Sequence, residues 1–253
     1  MIRQLFPAPV SISTSQAFEE AYLHAADEHL RTNFVSSIDG AVEIDGVSGP
    51  LGGQADRAAF FAMRAVCDVI LVGAGTMRAE NYGPVKLGED RMARRASRGQ
   101  APLPRLAVVS RSGALDAGAR LFASDPPVIV YTTSTGASRR DGLADAAEVV
   151  STGDSEVCLA TVVSDLRSRG LGRILCEGGP SLFRALMREG LVDEICLTIS
   201  PILAVDGRAN SAASAASAAS AASAASLPVP LQLQAVFEGD GALLLRYRPS
   251  PES

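Results

Sequence analysis

Three carboxylates stand where the sequence predicts a strand to end or a helix to begin: Asp39, Asp56 and Glu177. A carboxylic acid beside a substrate can donate a proton, and reduction of an imine needs a proton at nitrogen as well as a hydride at carbon. Asp39 equally fits a residue that forms a turn, and Asp56 equally fits a negative charge favoured by the dipole at a helix N-terminus. From these residues alone, both interpretations stay open.

A first glycine turn, Gly73-Ala74-Gly75-Thr76, directly follows an apolar run. A dinucleotide-binding fingerprint would have a third glycine where this chain has Arg78, and a strand where the next twenty residues are polar. The turn therefore predicts something narrower than that fingerprint. It indicates a backbone that a ligand can approach closely, with Thr76 offering a hydroxyl and a helix cap.

A second glycine turn, Glu177-Gly178-Gly179-Pro180-Ser181, lies between a predicted strand and a predicted helix. Its glycines allow backbone N–H groups to face one point, and Pro180 suits the first helical turn, where an N–H has no intrahelical partner. A helix N-terminus of this kind favours an anion such as a pyrophosphate. A plain tight turn is the alternative.

A hydroxyl and a guanidinium, Ser110 and Arg111, follow the strand predicted at 106–109. Such a pair at a strand end could bind the 2′-phosphate that distinguishes NADP from NAD. A solvated turn explains the pair equally well.

The elements that would position these residues alternate between strands and helices, which predicts an α/β fold. We expect a mixed, mostly parallel sheet flanked by helices, closed by an antiparallel hairpin, in a single domain over residues 1–253. Residues 1–30 would form a lead-in with a helix over 16–30 capped by Ser15, and residues 211–226 repeat Ser-Ala-Ala as a low-complexity tract with no assigned function. The other predicted strands are 31–37, 69–72, 106–109, 128–131, 148–150, 173–176, 194–199, 231–237 and 242–247, and the other helices are 55–66, 157–169 and 181–189.

Composition excludes several classes of function. The 253 residues carry a formal net charge of −5, which argues against nucleic acid or an anionic membrane as the partner. With 47% hydrophobic and 20% charged residues, the chain is not disordered throughout. The N-terminal residues have no signal-peptide pattern and no apolar run has the length of a membrane span, so we expect a soluble cytoplasmic protein.

Cysteine and histidine do not suggest a metal centre. No two of the four cysteines have the spacing of a zinc site, and three lie in apolar runs, so we expect buried thiols in a reducing compartment. His24 and His29 lie in a stretch that is predicted to be helical and exposed. The sequence therefore predicts no metal site.

Five segments occur together in an order that resembles one known family: 33–40, 56–57, 68–76, 177–180 and 197–201. They resemble the pyrimidine reductases of riboflavin biosynthesis, the RibD C-terminal domain family. The resemblance covers roughly residues 31–203 and 231–248.

The resemblance implies a dihydrofolate-reductase-like fold, a homodimer, and an NADPH-dependent reduction of a ribosylamino group to a ribitylamino group on a phosphorylated aminouracil or diaminopyrimidinone. It implies Asp56 as the catalytic carboxylate. The substrate would contact Asn33, Ser37, Asp39 and Arg57. Together with the turns described above, the cofactor contacts would be Gly73, Gly75, Thr76, Glu80, Ser110, Arg111, Glu177, Gly178, Gly179, Pro180, Ser181 and Leu182.

The chain departs from the family pattern at several places. Many members have Lys where this chain has Asn33, many have Asp where it has Glu80, and the residues after Pro201 differ from the usual glycine-containing sequence. The sequence has neither the His-x-Glu nor the Pro-Cys-x-x-Cys of the zinc deaminase found in bifunctional relatives. Two alternatives stay open: a pteridine reductase on the same fold, and a protein that binds nucleotides without turnover.

Overall fold

The computed structural model describes residues 1–24, 26–138, 143, 146–205 and 228–250. Within these ranges the strands are β1 (Ile2–Phe6), β2 (Val10–Ile12), β3 (His29–Ser36), β4 (Val69–Gly73), β5 (Arg105–Val109), β6 (Val128–Thr132), β7 (Ala147–Ser151), β8 (Arg173–Cys176), β9 (Glu194–Ile199), β10 (Leu231–Gly239) and β11 (Ala242–Pro249). The α-helices are α1 (Ser15–Ala21), α2 (Gln54–Val66), α3 (Ala74–Ala79), α4 (Glu89–Ser97), α5 (Ser134–Ala137), α6 (Leu159–Ser168) and α7 (Pro180–Arg188), with 3₁₀ turns at Gly49–Leu51 and Arg120–Ala123. The low-complexity tract at 211–226 lies outside the described residues.

All these strands form one sheet in the order β2-β1-β10-β11-β9-β3-β8-β4-β5-β6-β7. From β9 to β7 the neighbouring strands are parallel, and from β2 to β9 they are antiparallel. The central strand β3 lies between β8 and β9, which come more than a hundred residues later in the chain. The predicted mixed, mostly parallel sheet with a C-terminal antiparallel hairpin is confirmed.

The apolar runs form strands because helices cover both faces of the sheet. In β4, Ile70 and Val72 face one core, which includes α1 and α2, whereas Val69 and Leu71 face the other, which includes α6 and α7. Each of these four side chains is fully buried. The parallel half of the sheet is thus rigidly held, and the carboxyl ends of its strands are fixed relative to one another.

The N-terminal prediction is wrong in part. The helix expected over 16–30 covers only Ser15–Ala21, and its cap is Thr14, whose hydroxyl accepts a hydrogen bond from the Ala17 N–H. Residues 1–12 form the hairpin β1–β2, which lengthens the sheet beside β10. The two strands are too short and too polar for their alternation to be distinguished from a loop.

The prediction that His29 is exposed is also wrong, because His29 begins β3 and is buried. The His24 ring packs against it with 5.0 Å between ring centroids, and burial lowers the pKa of His24 to about 2. The three cysteines predicted to be buried, Cys67, Cys176 and Cys196, are buried.

A buried ion cluster joins β3, β9 and β11 on the sheet. Glu194 accepts hydrogen bonds from Arg31 Nε and, at 2.8 Å, from Arg246 Nε, and the His29 ring lies 3.4 Å from its carboxylate. Burial alone would raise the pKa of Glu194, but Arg31, His29 and Arg246 together hold that pKa far below its usual range. Glu194 is therefore an ionised carboxylate in the interior.

No helix in the described ranges combines the length and the apolar character that crossing a membrane requires.

Candidate active site

A cleft of about 1160 Å³ opens at the carboxyl ends of the parallel strands, between α2 on one side and α3 and α7 on the other. Its volume exceeds the range of roughly 300–1,000 Å³ that suits one small ligand, so it has room for a substrate beside a cofactor. Except for Ser37, Asp39 and Gly178, every predicted site residue lines it: Asn33, Asp56, Arg57, Gly73, Gly75, Thr76, Glu80, Ser110, Arg111, Glu177, Gly179, Pro180, Ser181 and Leu182.

The two glycine turns pack directly on each other, because β4 and β8 are neighbouring strands. The Gly73 N–H donates a hydrogen bond of 2.8 Å to the Gly178 carbonyl. A Cβ on Gly179 would lie only 2.3 Å from the Thr76 hydroxyl oxygen, so this contact requires a glycine. The peptide between Gly178 and Gly179 is cis, and Gly178 has a φ of +85°. Although Gly178 does not line the cleft, its carbonyl joins the two turns.

Helix α7 begins at this contact and directs its N-terminus into the cleft. Gly179 is the cap residue and supplies no side-chain hydrogen bond, and Pro180 follows it. The N–H groups of Ser181 and Leu182 lie in the first turn, where a helix offers them no carbonyl partner. The cleft therefore contains backbone donors and a positive dipole end, which suit a phosphate.

The Glu177 carboxylate accepts hydrogen bonds from two side chains of the protein, and a contact with a cofactor stays a prediction. Arg64 donates two hydrogen bonds of 2.7 Å to its two oxygens, and the Tyr82 hydroxyl donates a third of 2.8 Å. Burial lowers the pKa of Arg64, but Glu177 more than offsets this, so that pKa stays above its ordinary value. Glu177 therefore anchors the second turn to α2 and to the loop after α3.

Arg64 and Tyr82 line the cleft, and the sequence analysis missed them. The Arg64 guanidinium lies 4.0 Å from the Phe60 ring centroid. Asp56, Phe60 and Arg64 are spaced by four residues, so they share one face of α2. The two charged residues of that face, Asp56 and Arg64, were the signal that could have identified Arg64.

Asp56 lies in the first turn of α2, half-buried in the cleft wall. Its carboxylate packs so closely on Gly52 that a Cβ there would be 2.8 Å from Oδ2. Burial raises the pKa of Asp56, while a hydrogen bond with Thr198 and the charge of Arg57 lower it to a smaller extent. Asp56 consequently keeps a proton to higher pH than an exposed aspartate does.

Glu80 fixes the edge of the cleft. Its carboxylate accepts a 2.7 Å hydrogen bond from the Ser48 N–H. Ser48 follows a small hairpin in which Ile44 and Val47 form an isolated antiparallel bridge around a two-residue turn at Asp45-Gly46. Glu80 thereby attaches this hairpin to α3.

Ser37 and Asp39 lie beyond the end of β3, outside the cleft lining. The Ser37 hydroxyl donates a 2.5 Å hydrogen bond to Asp39, and Asp39 also accepts one of 3.1 Å from the Ala204 N–H. These hydrogen bonds lower the pKa of the exposed Asp39 carboxyl. The pair holds the turn after β3 against the segment after β9, and a contact with substrate stays a prediction.

Ser110 and Arg111 come together at the carboxyl end of β5, as predicted. Ser110 is buried, and its N–H donates to the Tyr131 carbonyl at 2.9 Å. The Arg111 side chain is exposed on the cleft wall and donates a 3.0 Å hydrogen bond to Glu156. Arg111 thus offers a cation beside the end of β4.

Comparison with known proteins identifies the family to which the chain is similar. A family model described as the RibD C-terminal domain matches residues 28–213. The chain is 30% identical over 189 residues to the 2,5-diamino-6-ribosylamino-4(3H)-pyrimidinone 5′-phosphate reductase of Methanothermobacter thermautotrophicus, covering 70% of this chain and 78% of that relative.

Solved structures agree with this result. A pyrimidine reductase-like protein from Corynebacterium diphtheriae has a TM-score of 0.78 and 28% identity, over 93% of this chain and 99% of that one. The RibD protein of Acinetobacter baumannii shares the fold, with a TM-score of 0.66 at 20% identity, and this chain spans 58% of its length. Because the matched family model spans most of the chain and includes both glycine turns, the protein belongs to the RibD C-terminal domain family.

Proposed function

We propose that this protein is an NADPH-dependent reductase of riboflavin biosynthesis. It would convert the ribosylamino group of a phosphorylated diaminopyrimidinone, or of the corresponding aminouracil, to a ribitylamino group. The observation that carries the proposal is one cleft with two contacting glycine turns on one wall and, on the other, Asp56, whose pKa burial raises. The name of the Methanothermobacter relative supports the choice of substrate class.

The residues of the cleft fit a nicotinamide cofactor. The N–H groups in the first turn of α7 suit a pyrophosphate, and Gly75, where an added Cβ would meet nothing within 4 Å, leaves open space at the first glycine turn. Arg111 and Ser110 would hold a 2′-phosphate at the end of β5. When bound, the reduced nicotinamide supplies a hydride to C1′ of the ring-opened imine form of the substrate.

Asp56 completes that reduction with a proton. As the C=N bond becomes single, the nitrogen would take its proton from the Asp56 carboxyl, which balances the hydride added at C1′. Because burial raises its pKa, Asp56 is closer to protonation near neutral pH than an exposed aspartate is. Thr198 orients the carboxyl through its hydrogen bond. Asn33 and Arg57, which also line the cleft, would contact the substrate.

The homodimer and the cytoplasmic location belong to the same proposal. The homodimer is supported by the family resemblance described above, and the cytoplasmic location stays a prediction from the sequence. The negative net charge supports the absence of a nucleic-acid partner.

A single assay tests the proposal. The purified chain is mixed with NADPH and the phosphorylated ribosylaminopyrimidine, with loss of reduced-nicotinamide absorbance as the readout. Mass spectrometry of the product then checks for the addition of two hydrogens. Turnover with this substrate supports the proposal. Turnover with dihydrofolate alone would replace it with the pteridine alternative, and binding of NADPH without turnover would replace it with a nucleotide-binding role.

A further inference from the structure

The cleft wall carries an ion pair between Arg111 and Glu156, and Glu156 has no role in the proposed chemistry. Arg111 Nη1 lies 3.0 Å from Glu156 Oε1, and the two side chains are 70% and 73% exposed. Both residues line the cleft. Exposed pairs are weak because water competes with each partner. Arg111 can therefore release Glu156 and bind a more highly charged anion with little loss of free energy.

The backbone beneath both side chains is fixed. The Arg111 carbonyl accepts hydrogen bonds from Thr132 at 3.3 Å and from Thr133 at 3.0 Å. The Glu156 carbonyl packs on Gly153, where a Cβ would lie only 2.1 Å away. The backbone positions of Arg111 and Glu156 are consequently fixed, so the ion pair can open by rotation of the two side chains alone.

Their place in the sheet indicates which part of a ligand they meet. Arg111 follows β5, which is the neighbour of β4, and β4 ends in the Gly73–Thr76 turn. In sheets that bind dinucleotides, the residue at the end of the neighbouring strand contacts the adenosine ribose. A carboxylate there accepts a hydrogen bond from the 2′-hydroxyl of NAD, and an arginine pairs with the 2′-phosphate of NADP. Here Arg111 stands at the end of β5, and Glu156, in the segment between β7 and α6, brings a carboxylate to the same place through its ion pair with Arg111.

We infer that Glu156 determines the preference between NADPH and NADH. Its carboxylate competes with a 2′-phosphate for Arg111 and repels it, and the same carboxylate accepts the 2′-hydroxyl of NADH. The inference rests on the proposed function, because it needs a nicotinamide cofactor in this cleft. It adds a specificity-determining residue that neither the sequence pattern nor the proposed chemistry identified.

The substitution Glu156→Gln tests this role through the dissociation constants of NADPH and NADH, measured separately by the fluorescence of the reduced nicotinamide. Removing the negative charge that pairs with Arg111 tightens NADPH binding by roughly three- to tenfold at low ionic strength. NADH binding weakens by about two- to fivefold because the ribose hydroxyl loses a charged acceptor. The two constants thus move in opposite directions.

Two further variants make the result specific. Glu238→Gln is the matched control, because it neutralises another exposed Arg–Glu pair, with Arg3 at 2.8 Å on β1 and β10, far from the cleft lining. It leaves both constants unchanged. Arg111→Gln weakens NADPH binding by about tenfold or more and changes NADH binding by less than about twofold.

The outcomes separate this inference from the function on which it rests. If Glu156→Gln shifts both cofactors equally, or leaves the NADPH-to-NADH ratio where Glu238→Gln leaves it, Glu156 has no role in specificity. If the parent protein binds neither dinucleotide, the proposed function fails and this inference fails with it.

Discussion

The contact between the two glycine turns makes a quantitative prediction about Gly179→Ala. The added Cβ would lie 2.3 Å from the Thr76 hydroxyl oxygen, far inside van der Waals contact, and 3.7 Å from the Thr76 Cβ, which is ordinary contact. Gly179 has a φ of −82°, which alanine adopts freely, so backbone conformation adds no cost. The clash alone should therefore lower the free energy of unfolding by about 1–3 kcal/mol, the usual cost of overpacking.

A double-mutant cycle identifies the clashing atom. Thr76→Ala removes the hydroxyl and leaves only the 3.7 Å contact, so Thr76→Ala/Gly179→Ala should recover most of the loss. Urea unfolding of the parent, both single variants and the double variant gives the coupling energy, which we expect to be about 1–2 kcal/mol in favour of the double variant. Gly75→Ala is the control, because an added Cβ there has nothing within 4 Å.

The affinity for NADPH gives an independent measure of the same clash. If Gly179 moves to relieve it, the start of α7 moves too, and NADPH binding should weaken by about tenfold or more. A Gly179→Ala variant as stable as Gly75→Ala would refute the reasoning. So would a double variant that recovers none of the stability, because the hydroxyl would then not be the obstacle.

Three other side chains give predictions of their own. Asp56→Asn should lower turnover by at least about a hundredfold while leaving NADPH affinity within about twofold. Because folding raises the pKa of Asp56, its ionised form opposes folding, so Asp56→Asn should leave the free energy of unfolding at neutral pH unchanged or higher, and parent turnover should fall as pH rises through that pKa. Arg64→Met leaves the buried Glu177 carboxylate without its main partner, and urea unfolding should show a loss of about 3–5 kcal/mol; a loss no larger than that of Tyr82→Phe, which removes one neutral donor, would contradict it. Folding lowers the pKa of Glu194, so its contribution is present above roughly pH 4.3, its unfolded value, and is lost as pH falls toward the folded value. Glu194→Gln should therefore flatten the acid limb of a stability profile, and an unchanged limb would assign that limb to other carboxylates.

The parallel half of the fold could be predicted from the sequence because each strand is buried on both faces. In β4 and β6 every side chain must be apolar or satisfied, so each strand appears as a continuous run. The hairpin β1–β2 was missed because its strands are short and mostly exposed, and because its partner β10 lies more than two hundred residues away in the chain. A local pattern carries no information about such a partner.

The same distinction applies to the candidate site. The two turns were found because glycine is required where backbones approach closely, and that requirement is local. The partner of Glu177 was not found, because Arg64 lies 113 residues away and the pairing depends on how α2 crosses the sheet. Asp39 illustrates the opposite case: its local turn pattern was correct, but the sequence did not show that its carboxylate accepts a hydrogen bond from the Ala204 N–H, in the segment after β9.

The position of β3 between β8 and β9 sets an order for folding during synthesis. Residues 29–36 leave the ribosome well before their partner strands, both of which begin at or after residue 173. Until then both edges of β3 are unpaired. The pairings of β3 with β8 and β9 each join residues far apart in the chain, and such long-range contacts slow folding. The first strand waits longer still, because β1 pairs with β10. We therefore expect nascent chains truncated before residue 200 to depend on chaperones, whereas the β4–β5–β6 segment can begin to form by itself.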